Sequence, residues 1–421
     1  MAIAATSVEE VCREAKRASR VLAALPRATK DAALQAIAAA LRDATEEILD
    51  ANRSDLAAAR EAGLSDALLD RLALDERRID AMAASAIAIA ALEDPVGELL
   101  EEQVRPNGLR IRKLRVPLGV VAVVYEARPN VTIDAAALCL KSGNAVVLRG
   151  SSSAARSNAV LAAVAARAAE SAGVPEGAIS ILTGGAREEL AELATQTRYV
   201  DLIIPRGGEG LKAALLEHAT VPVIYAASGN CHVYVDAAAD LEQAQAIALN
   251  AKVQRPGVCN AAETLLVHRD VAATFLPAAL SALRDAGVEL RGDERARECS
   301  GGVELAAATE ADWDTEYLAL TLAVGVVDSL DAAIEHIAAH GTGHSETIVT
   351  SDAAAARRFQ FDIDAACVYV NASTRFTDGA EFGMGAEIGN STQKLHARGP
   401  IGLRELCAGK YLIEGDGHVR S

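Results

Sequence analysis

The chain has 421 residues, of which 51% are hydrophobic and 24% charged, a composition that is typical of globular proteins and excludes a disordered or fibrous chain. At roughly 100–200 residues per domain, this length predicts two or three domains. Lysine and arginine number 41 against 58 aspartate and glutamate residues, so the formal net charge is −17. A field of this sign repels nucleic acid and anionic membrane surfaces, and we expect neither as a partner, although a local basic pocket for a small phosphorylated ligand is compatible with it.

The N-terminal residues do not resemble a signal peptide, because charged residues begin at Glu9 and no apolar segment precedes them. The longest uncharged apolar stretch, around 81–92, is far shorter than the roughly 20 residues that a membrane helix needs. The seven cysteines are an odd number without a CxxC pair. These features predict a cytoplasmic protein with reduced, mostly buried thiols.

Residues 8–92 are rich in alanine and carry larger aliphatic residues at helical spacing. Breaks at Pro26, at Gly63 and near Asp75 divide them into several predicted amphipathic helices. Apolar and basic residues then alternate over 109–115, which predicts a half-exposed strand.

Short β-branched runs alternate with helical stretches from Val116 onward, which predicts parallel sheets built from βαβ units. The predicted strands are 120–125, 145–148, 179–182, 201–204, 221–224, 233–235, 264–267, 347–350 and 368–370. A helix predicted over 153–172 is stopped by Gly173. Such sheets bind ligands beyond the carboxyl ends of their strands. The glycine-rich stretch from Thr374 lacks strong periodicity and is predicted to be a returning loop and tail.

Two motifs that follow predicted strands are candidates for binding an anion. Gly207 and Gly208 open a predicted helix, where backbone amides and the helix dipole favour a phosphate. The GxGxxG spacing is missing, so an ordinary glycine-rich turn is the better interpretation of this motif alone. Arg149 is followed by small hydroxyl residues, among them Ser152, that could complete a phosphate pocket. Helix capping by those serines is an equally good interpretation.

Cys259 is the candidate nucleophile. It follows a Pro-Gly pair in a bend where a helix could start, and Arg255 lies close in sequence. A helix N-terminus and a nearby guanidinium both lower the pKa of a thiol and favour the reactive thiolate. The alternative is a buried, inert thiol, the interpretation that fits Cys139 and Cys367 in their apolar segments.

Three histidines, at 336, 340 and 344, recur at every fourth residue, as metal ligands on one helix face would. Gly341 and Gly343 interrupt such a helix, and no HExxH pattern is present, so we expect no metal site. The stretch 343–346 is predicted to be a polar loop that could contact a polar substrate.

Taken together and in this order, several stretches resemble the aldehyde dehydrogenase superfamily and, within it, the reductases that act on glutamyl 5-phosphate. The resemblance runs from about Val8 to the C-terminal tail. The stretches that carry it are VPLGVV at 116–121, EARPN at 126–130, DLIIPRGG at 201–208, GNCHVYVD at 229–236 and QRPGVCN at 254–260. The most specific is HIAAHGTGHSETI at 336–348, which resembles the signature of these reductases rather than of the superfamily.

The resemblance implies an aldehyde-dehydrogenase-like α/β fold, with a Rossmann-type cofactor domain, an α/β catalytic domain and a small oligomerisation element, in a homo-oligomer. The NADP-binding domain would comprise 1–107 and 118–226, and the catalytic domain 227–372. The oligomerisation hairpin and tail would be 108–117 and 373–421.

The resemblance also implies a reaction. Cys259 would attack L-glutamyl 5-phosphate, release phosphate and hold the glutamyl group as a thioester, which hydride from NADPH would convert to glutamate 5-semialdehyde, in the second step of proline biosynthesis. Aldehyde-oxidising relatives carry a general-base glutamate whose place falls at Ala226; a reductase needs no such base, because water would hydrolyse the thioester. The alternatives are a phosphate-independent aldehyde dehydrogenase, which Ala226 disfavours, and a non-catalytic nucleotide-binding scaffold, which Cys259 disfavours.

For the cofactor, the resemblance places Arg149 and Ser152 where NAD-preferring relatives hold the adenosine ribose with a lysine and a carboxylate. Because the carboxylate is missing and an arginine is present, NADPH is favoured over NADH. Gly207 and Gly208 would contact the pyrophosphate. Glu316 would bind the nicotinamide ribose, the alternative being a solvated acid.

For the substrate, the predicted oxyanion hole consists of the backbone N–H of Cys259 and, as a second donor in the loop after strand 120–125, Asn130. Candidates for contacting the α-carboxylate and α-ammonium groups are Arg128, Arg255, His344, Ser345 and Glu346. Glutamate 5-kinase, which would supply the labile acyl phosphate, is a candidate partner.

Overall fold

The structure, a computed structural model, describes residues 7–183, 186–225 and 228–420. In its N-terminal part the elements are α1 Val8–Leu22, α2 Arg27–Asp43, α3 Thr45–Glu61, α4 Asp66–Leu72, α5 Glu76–Ala91, β1 Leu99–Val104, β2 Arg110–Pro117, β3 Val120–Tyr125, α6 Asn130–Lys141, β4 Ala145–Arg149, α7 Ala155–Ser171, β5 Ile179–Leu182, α8 Arg187–Ala194, β6 Leu202–Arg206 and α9 Glu209–Leu216. They continue with β7 Cys231–Val235, α10 Leu241–Val253, β8 Ala262–His268, α11 Arg269–Asp285, β9 Glu289–Gly292, α12 Glu294–Glu298, β10 Ala306–Ala307, α13 Glu310–Trp313, β11 Thr321–Val327, α14 Leu330–His340, β12 Ser345–Val349, α15 Ala353–Asp362, β13 Cys367–Val370, β14 Asn390–Ser391, β15 Gly399–Pro400 and β16 Cys407–Glu414. Two short 3-10 helices cover Ser152–Ala154 and Thr374–Phe376.

The chain divides into two compact units. The first comprises Met1–Tyr225, Gly383–Gly389 and Ile401–Ser421, and the second Ala226–Phe382 and Asn390–Pro400. The division differs from the predicted one, because 373–382 and 390–400 belong to the second unit instead of to a separate tail. The roles of the units in binding cofactor and substrate stay predictions at this point.

The helices predicted for the N-terminal segment are present as α1 to α5, and their ends have local causes. The side chain of Ser7 caps α1 by accepting the N–H of Glu10 at 3.2 Å, and Asp75 caps α5 by accepting the N–H of Arg78 at 2.7 Å. Gly63, just beyond α3, has a φ of +74°, a left-handed conformation in which glycine is strongly preferred.

The first unit contains a parallel sheet in the order β5-β4-β3-β6. Every residue of β3 is buried, which explains its uninterrupted apolar run. The chain passes from β3 outward to β4 and β5 and then returns to place β6 on the other side of β3. Such a reversal opens a crevice at the carboxyl ends of the two strands involved, where open α/β sheets bind ligands.

A second sheet of the first unit is antiparallel, in the order β1-β2-β16. The predicted strand over 109–115 is confirmed as β2. The tail prediction is wrong for β16, which pairs with β2 from Cys407 opposite Pro117 to Glu414 opposite Arg110. Its partner lies about three hundred residues away in sequence, so no local pattern revealed this pairing.

The second unit is built on a parallel sheet in the order β10-β9-β11-β8-β7-β12-β13. Its central strand β8 is buried at every residue, and a large apolar core packs against it from α10 and α11. Strands β9 and β11 were missed by the sequence analysis. The predicted strand over 221–224 is wrong: Pro222 lacks the N–H that a ladder needs, and only one isolated bridge forms there, between Ile203 and Val223.

Among the helices that the structure describes, none combines the length and the apolar composition needed to cross a membrane.

Candidate active site

Cys259 differs from the other cysteines in its exposure. All seven lie within the described residues; Cys259 alone is exposed, Cys299 is half-buried, and the rest are buried, as predicted for Cys139 and Cys367. Burial raises the pKa of Cys12 and of Cys407 to about 12 each, so these thiols stay protonated and unreactive near neutral pH. Exposure therefore separates one reactive candidate from a set of structural thiols.

The local structure around Cys259 differs from the predicted one. Helix α10 ends at Val253, and the chain passes through turns at 256–260 into strand β8. The prediction that a helix starts at this bend is wrong, because the apolar residues that follow belong to a buried strand. Any electrostatic stabilisation of a thiolate must come from nearby side chains.

The backbone of Cys259 is packed directly against Gly229. A Cβ atom on Gly229 would lie 1.8 Å from the carbonyl oxygen of Cys259 and 2.6 Å from its Cα, so no larger residue fits. The Gly229 N–H donates to Oε1 of Glu316 at 2.7 Å, and the Cys231 thiol donates to the Cys259 carbonyl at 3.2 Å. Gly229 and Cys231 thus contact the backbone of the candidate nucleophile, and Glu316 in turn binds Gly229.

Glu316, which we expected to contact a ribose, is therefore a partner of Gly229 in this structure. It is half-buried rather than fully solvated. The ribose role stays a prediction.

A buried ion pair joins the two ends of the segment that carries Cys259. Lys252 lies at the end of α10 and Glu263 at the start of β8, and both side chains are fully buried. Burial raises the pKa of Glu263, and the ammonium of Lys252 offsets only part of this effect. Glu263 also accepts the N–H of Leu318 at 3.3 Å, which connects the pair to the chain just after Glu316.

The predicted polar loop at 343–346 is wrong. Ser345 and Glu346 belong to strand β12, and these two side chains and that of His344 have 0% exposure. Glu346 Oε2 accepts the backbone N–H of His232 at 2.7 Å, and Ser345 is 2.6 Å from the hydroxyl of Thr377. All three residues are buried beside or within β12, and substrate contact by them stays a prediction.

Two of the three regularly spaced histidines share one face of α14. The rings of His336 and His340 are 4.6 Å apart, and Trp313 packs edge-on against His336 at 5.2 Å. Burial and the neighbouring histidines lower the pKa of His336 to about 3, so its ring is neutral at physiological pH. The described residues contain no group of side chains that could hold a metal ion.

Asn130 and Arg128 belong to the first unit. Asn130 is the first residue of α6 instead of a loop residue, and its side-chain amide donates to Asp134 at 3.0 Å. Arg128 is half-buried, and its backbone N–H donates to the Glu126 carbonyl at 2.6 Å. Their proposed roles toward the substrate stay predictions. Ala226, the position of the missing general base, lies outside the described residues.

Arg149 ends strand β4, as predicted, but it is not solvated. Its Nε is 3.6 Å from the Glu189 carboxylate, and Nη2 donates to the Ala186 carbonyl at 3.0 Å. Burial lowers the pKa of Arg149, and Glu189 opposes that shift. A phosphate at this arginine would compete with Glu189.

The turn after β4 contains a polar site. A cavity of about 10 Å³ is lined there by Gly150, Ser151, Ser152, Ala155, Asn158, Ile181, Leu182 and Thr183. Asn158 Nδ2 is buried without a partner among the described residues, and a Cβ on Gly150 would lie 2.1 Å from it. The serine hydroxyls do not cap the helix: those of Ser151 and Ser153 pair with each other at 2.7 Å. The Asn158 amide, in α7 beside the turn that follows β4, is thus an orphaned donor available to a polar ligand atom.

The Gly207-Gly208 turn follows β6 at the point where the strand order reverses. Gly208 caps α9, and its N–H donates to Oε1 of Glu126, which follows β3, at 3.2 Å. A Cβ on Gly207 would lie 2.7 Å from the Glu126 carboxyl carbon. The turn thus already binds one anionic group, which is the property that a pyrophosphate site needs. Sequence analysis missed Glu126, although its position directly after a predicted strand was a usable signal.

Arg375 is a second residue that sequence analysis missed. It lies in the 3-10 helix Thr374–Phe376, where its Nε donates to Gln254 of the Cys259 segment at 2.8 Å. Its place just after the predicted strand 368–370 was the only sequence signal. Arg255, predicted to lie near Cys259, is exposed on the same segment.

Comparison with known proteins identifies the family of the chain. The sequence model of the aldehyde dehydrogenase family matches residues 1–299. A gamma-glutamyl phosphate reductase of Moorella thermoacetica is 57% identical over 416 residues, 99% of either chain, and one of Thermobifida fusca is 56% identical over 413 residues, 98% of either chain.

Solved structures give the same result. The crystal structure of gamma-glutamyl phosphate reductase from Thermotoga maritima matches with a TM-score of 0.96 at 47% identity, covering 99% of this chain and 100% of that one. An acetylating aldehyde dehydrogenase from Geobacillus thermoglucosidasius matches with a TM-score of 0.71 at 20% identity over 98% of this chain and 97% of that one, which shows the fold alone. The chain is thus an oxidoreductase that belongs to the aldehyde dehydrogenase family and, within it, to the gamma-glutamyl phosphate reductases.

Proposed function

We propose that the protein reduces L-glutamyl 5-phosphate to L-glutamate 5-semialdehyde and phosphate with NADPH, the second step of proline biosynthesis. The observation that carries this proposal is the state of Cys259: it is the one exposed thiol among seven, and its backbone is fixed against Gly229. A nucleophile has to be both accessible and held in a defined position. The names of the relatives support the choice of substrate.

The thiolate of Cys259 adds to the C5 carbonyl carbon of the acyl phosphate. The tetrahedral intermediate collapses with cleavage of the bond between C5 and the phosphate oxygen, and phosphate leaves with the electron pair, so that Cys259 carries a glutamyl thioester. The backbone N–H of Cys259 is the proposed donor to the oxyanion, with Asn130 as the second donor predicted from sequence. A thioester of this kind survives only where water is not activated to attack it.

A nicotinamide cofactor held by the residues named below would supply a hydride equivalent to the thioester carbon. The resulting thiohemiacetal on Cys259 then releases the aldehyde: its C–S bond breaks, its hydroxyl proton is lost, and the sulfur takes the electron pair back. The net reaction consumes the acyl phosphate, NADPH and one proton, and it yields semialdehyde, phosphate and NADP.

The first unit supplies all of the proposed cofactor residues except Glu316, which belongs to the second unit. Gly207 and Gly208 would hold the pyrophosphate at the N-terminus of α9, where the amide of Gly208 already binds a carboxylate. Arg149 and Ser152, beside the orphaned amide of Asn158, would hold the adenosine ribose and its 2′-phosphate. Glu316 is proposed to hold the nicotinamide ribose through the oxygen that does not bind Gly229.

We further propose that the protein is a cytoplasmic homo-oligomer assembled through the β1-β2-β16 sheet, where Tyr411 and Ile413 are 54% and 62% exposed. Glutamate 5-kinase is proposed as the partner that delivers the substrate.

The reaction is tested in the direction of semialdehyde oxidation, in which NADP, semialdehyde and inorganic phosphate are separate substrates. Wild-type protein should form NADPH only when phosphate is present. Cys259→Ser should abolish turnover while leaving NADPH binding unchanged, and Cys299→Ser, the matched control at a half-buried thiol, should behave as wild type. Mass spectrometry of protein trapped with acyl phosphate in the absence of NADPH should find the glutamyl group on Cys259.

Other results would replace this proposal. Turnover of Cys259→Ser at the wild-type rate would exclude a thioester on that residue. Phosphate-independent turnover that yields glutamate would identify an aldehyde oxidiser. Tight NADPH binding without any turnover would identify a scaffold.

A further inference from the structure

The short 3-10 helix Thr374–Phe376 is bound to the residue that follows Cys259. The Thr374 hydroxyl donates to the Asn260 carbonyl at 2.7 Å. The side-chain amide of Asn260 donates to the carbonyl oxygens of Thr377 at 2.9 Å and of Arg375 at 3.3 Å. Three hydrogen bonds therefore hold this helix next to the candidate nucleophile.

The side chain of Arg375 is turned toward the segment that carries Cys259. Its Nε donates to the side-chain oxygen of Gln254 at 2.8 Å, which leaves the two terminal nitrogens of the guanidinium for another acceptor. Burial and the charge of Arg255 lower the pKa of Arg375, and the negative charge of a Cys259 thiolate raises it. Arg375 is thus close enough to Arg255 and to the sulfur of Cys259 to interact with both charges.

The positive charge of this arginine pair is not compensated. Neither Arg255 nor Arg375 forms an ion pair with a carboxylate in the part of the chain that the structure describes. The charge of Asp378 acts on Arg375, but the Oδ1 of Asp378 is engaged by the N–H groups of Ala380 at 2.9 Å and Glu381 at 3.4 Å. Two like charges, one of them partly desolvated, are unfavourable together unless a ligand of opposite charge binds between them.

We propose that Arg375, together with Arg255, binds the phosphoryl group of the substrate while Cys259 attacks. This inference rests on the proposed function and adds Arg375 as the residue that recognises phosphate. In L-glutamyl 5-phosphate the phosphoryl group is bonded through oxygen to the carbon under attack, so it lies beside the sulfur. Three carbon atoms separate this carbon from the α-carboxylate. Guanidinium groups match a phosphate in shape and charge, and they stabilise the dianion that leaves when the C–O bond breaks.

The semialdehyde-oxidising direction separates this proposal from the function itself, because phosphate is there an independent substrate. Arg375→Met should raise the KM for phosphate about 10- to 100-fold, the usual effect of removing one charged hydrogen-bonding group. The KM for semialdehyde should stay within about twofold. Arg375→Lys should restore part of the affinity, and Arg284→Met, a control at an exposed arginine of α11, should leave both constants unchanged.

A second measurement needs no turnover. Inorganic phosphate should slow the alkylation of Cys259 by iodoacetamide in wild-type protein and in Arg284→Met, but not in Arg375→Met. If Arg375→Met does not fold, the same two measurements are made on Arg255→Met, because Arg255 is exposed.

Each outcome has a distinct meaning. An unchanged KM for phosphate in a folded Arg375→Met protein would refute the assignment, and a selective rise in the KM for semialdehyde would transfer Arg375 to the α-carboxylate. Wild-type turnover that ignores phosphate would instead refute the proposed function.

Discussion

Replacing Gly229 by alanine tests whether the close backbone contact positions the nucleophile. The added Cβ would lie 1.8 Å from the carbonyl oxygen of Cys259, 2.4 Å from its carbonyl carbon and 2.6 Å from its Cα. Because all three atoms belong to the backbone, no side-chain rotation can relieve the overlap, and the segment must move by roughly 1 Å, a misplacement that typically costs about 100-fold in rate. Overpacking of this kind also destabilises a fold by about 1–3 kcal/mol.

We therefore expect kcat of Gly229→Ala to fall about 100-fold, with a lower Tm and with NADPH binding unchanged. The assay is phosphate-dependent NADPH formation, measured together with thermal unfolding and fluorescence titration of NADPH. Gly210→Ala is the control, since a Cβ there meets nothing within 4 Å, and it should keep wild-type turnover. A Gly229→Ala protein with wild-type kcat and Tm would refute the packing argument.

Two further predictions concern charge. The pKa of His336 is about 3, below its unfolded value of 6.5, so the unfolded chain binds more protons and stability should fall as pH drops through 6.5. Between pH 7 and pH 5 this histidine should lower the free energy of unfolding by about 2 kcal/mol, measured by urea unfolding. His336→Leu should remove that part of the pH dependence. An equal pH dependence in the variant would contradict the buried, neutral state of His336. At the proposed nucleotide site, Arg149→Met should raise the KM for NADPH at least about tenfold without changing the KM for NADH. Glu189→Gln should lower the KM for NADPH, because the Glu189 carboxylate pairs with Arg149 and would compete with the phosphate. Equal effects on both cofactors would refute the assignment to the 2′-phosphate.

The sequence predicts the fold best where local composition and burial agree. Strand β3 is a run of apolar residues because neighbouring strands flank it and both of its faces are covered, and so composition alone gives its limits. Strand β11 was missed although most of it is buried; Gly325 interrupts its apolar run, and a Cβ there would lie 3.3 Å from the Trp313 ring. Its identity as a strand depends on packing that sequence does not display.

Site residues are predictable from sequence when their type and sequence neighbours are unusual, and they are hard to predict when polar or charged residues of the same type are common along the chain. Cys259 stood out because its neighbours in sequence are unusual. The polar run 343–346 suggests an exposed loop, whereas Glu346 lies in strand β12 and His344 just before it, both buried in hydrogen-bonded contacts. Arg375 was missed because it reaches Gln254 across more than a hundred residues of sequence, a contact that only the folded sheet creates.

The position of Cys259 relative to its sheet explains why charged side chains are needed there. In the first unit the proposed cofactor residues lie at the carboxyl ends of β4 and β6, where helices begin and their dipoles attract anions. In the second unit, Gly229 and Cys259 precede strands β7 and β8, so they lie at the amino edge of that sheet, contrary to the general expectation for ligand sites. Helices end at this edge, as α10 does at Val253. The C-terminal end of a helix carries the negative end of its dipole, which disfavours both a thiolate and a phosphate. Arg255 on the Cys259 segment and Arg375 on the 3-10 helix Thr374–Phe376 bring positive charge to this edge, and this is the electrostatic reason for the proposed pairing of the two arginines with the sulfur.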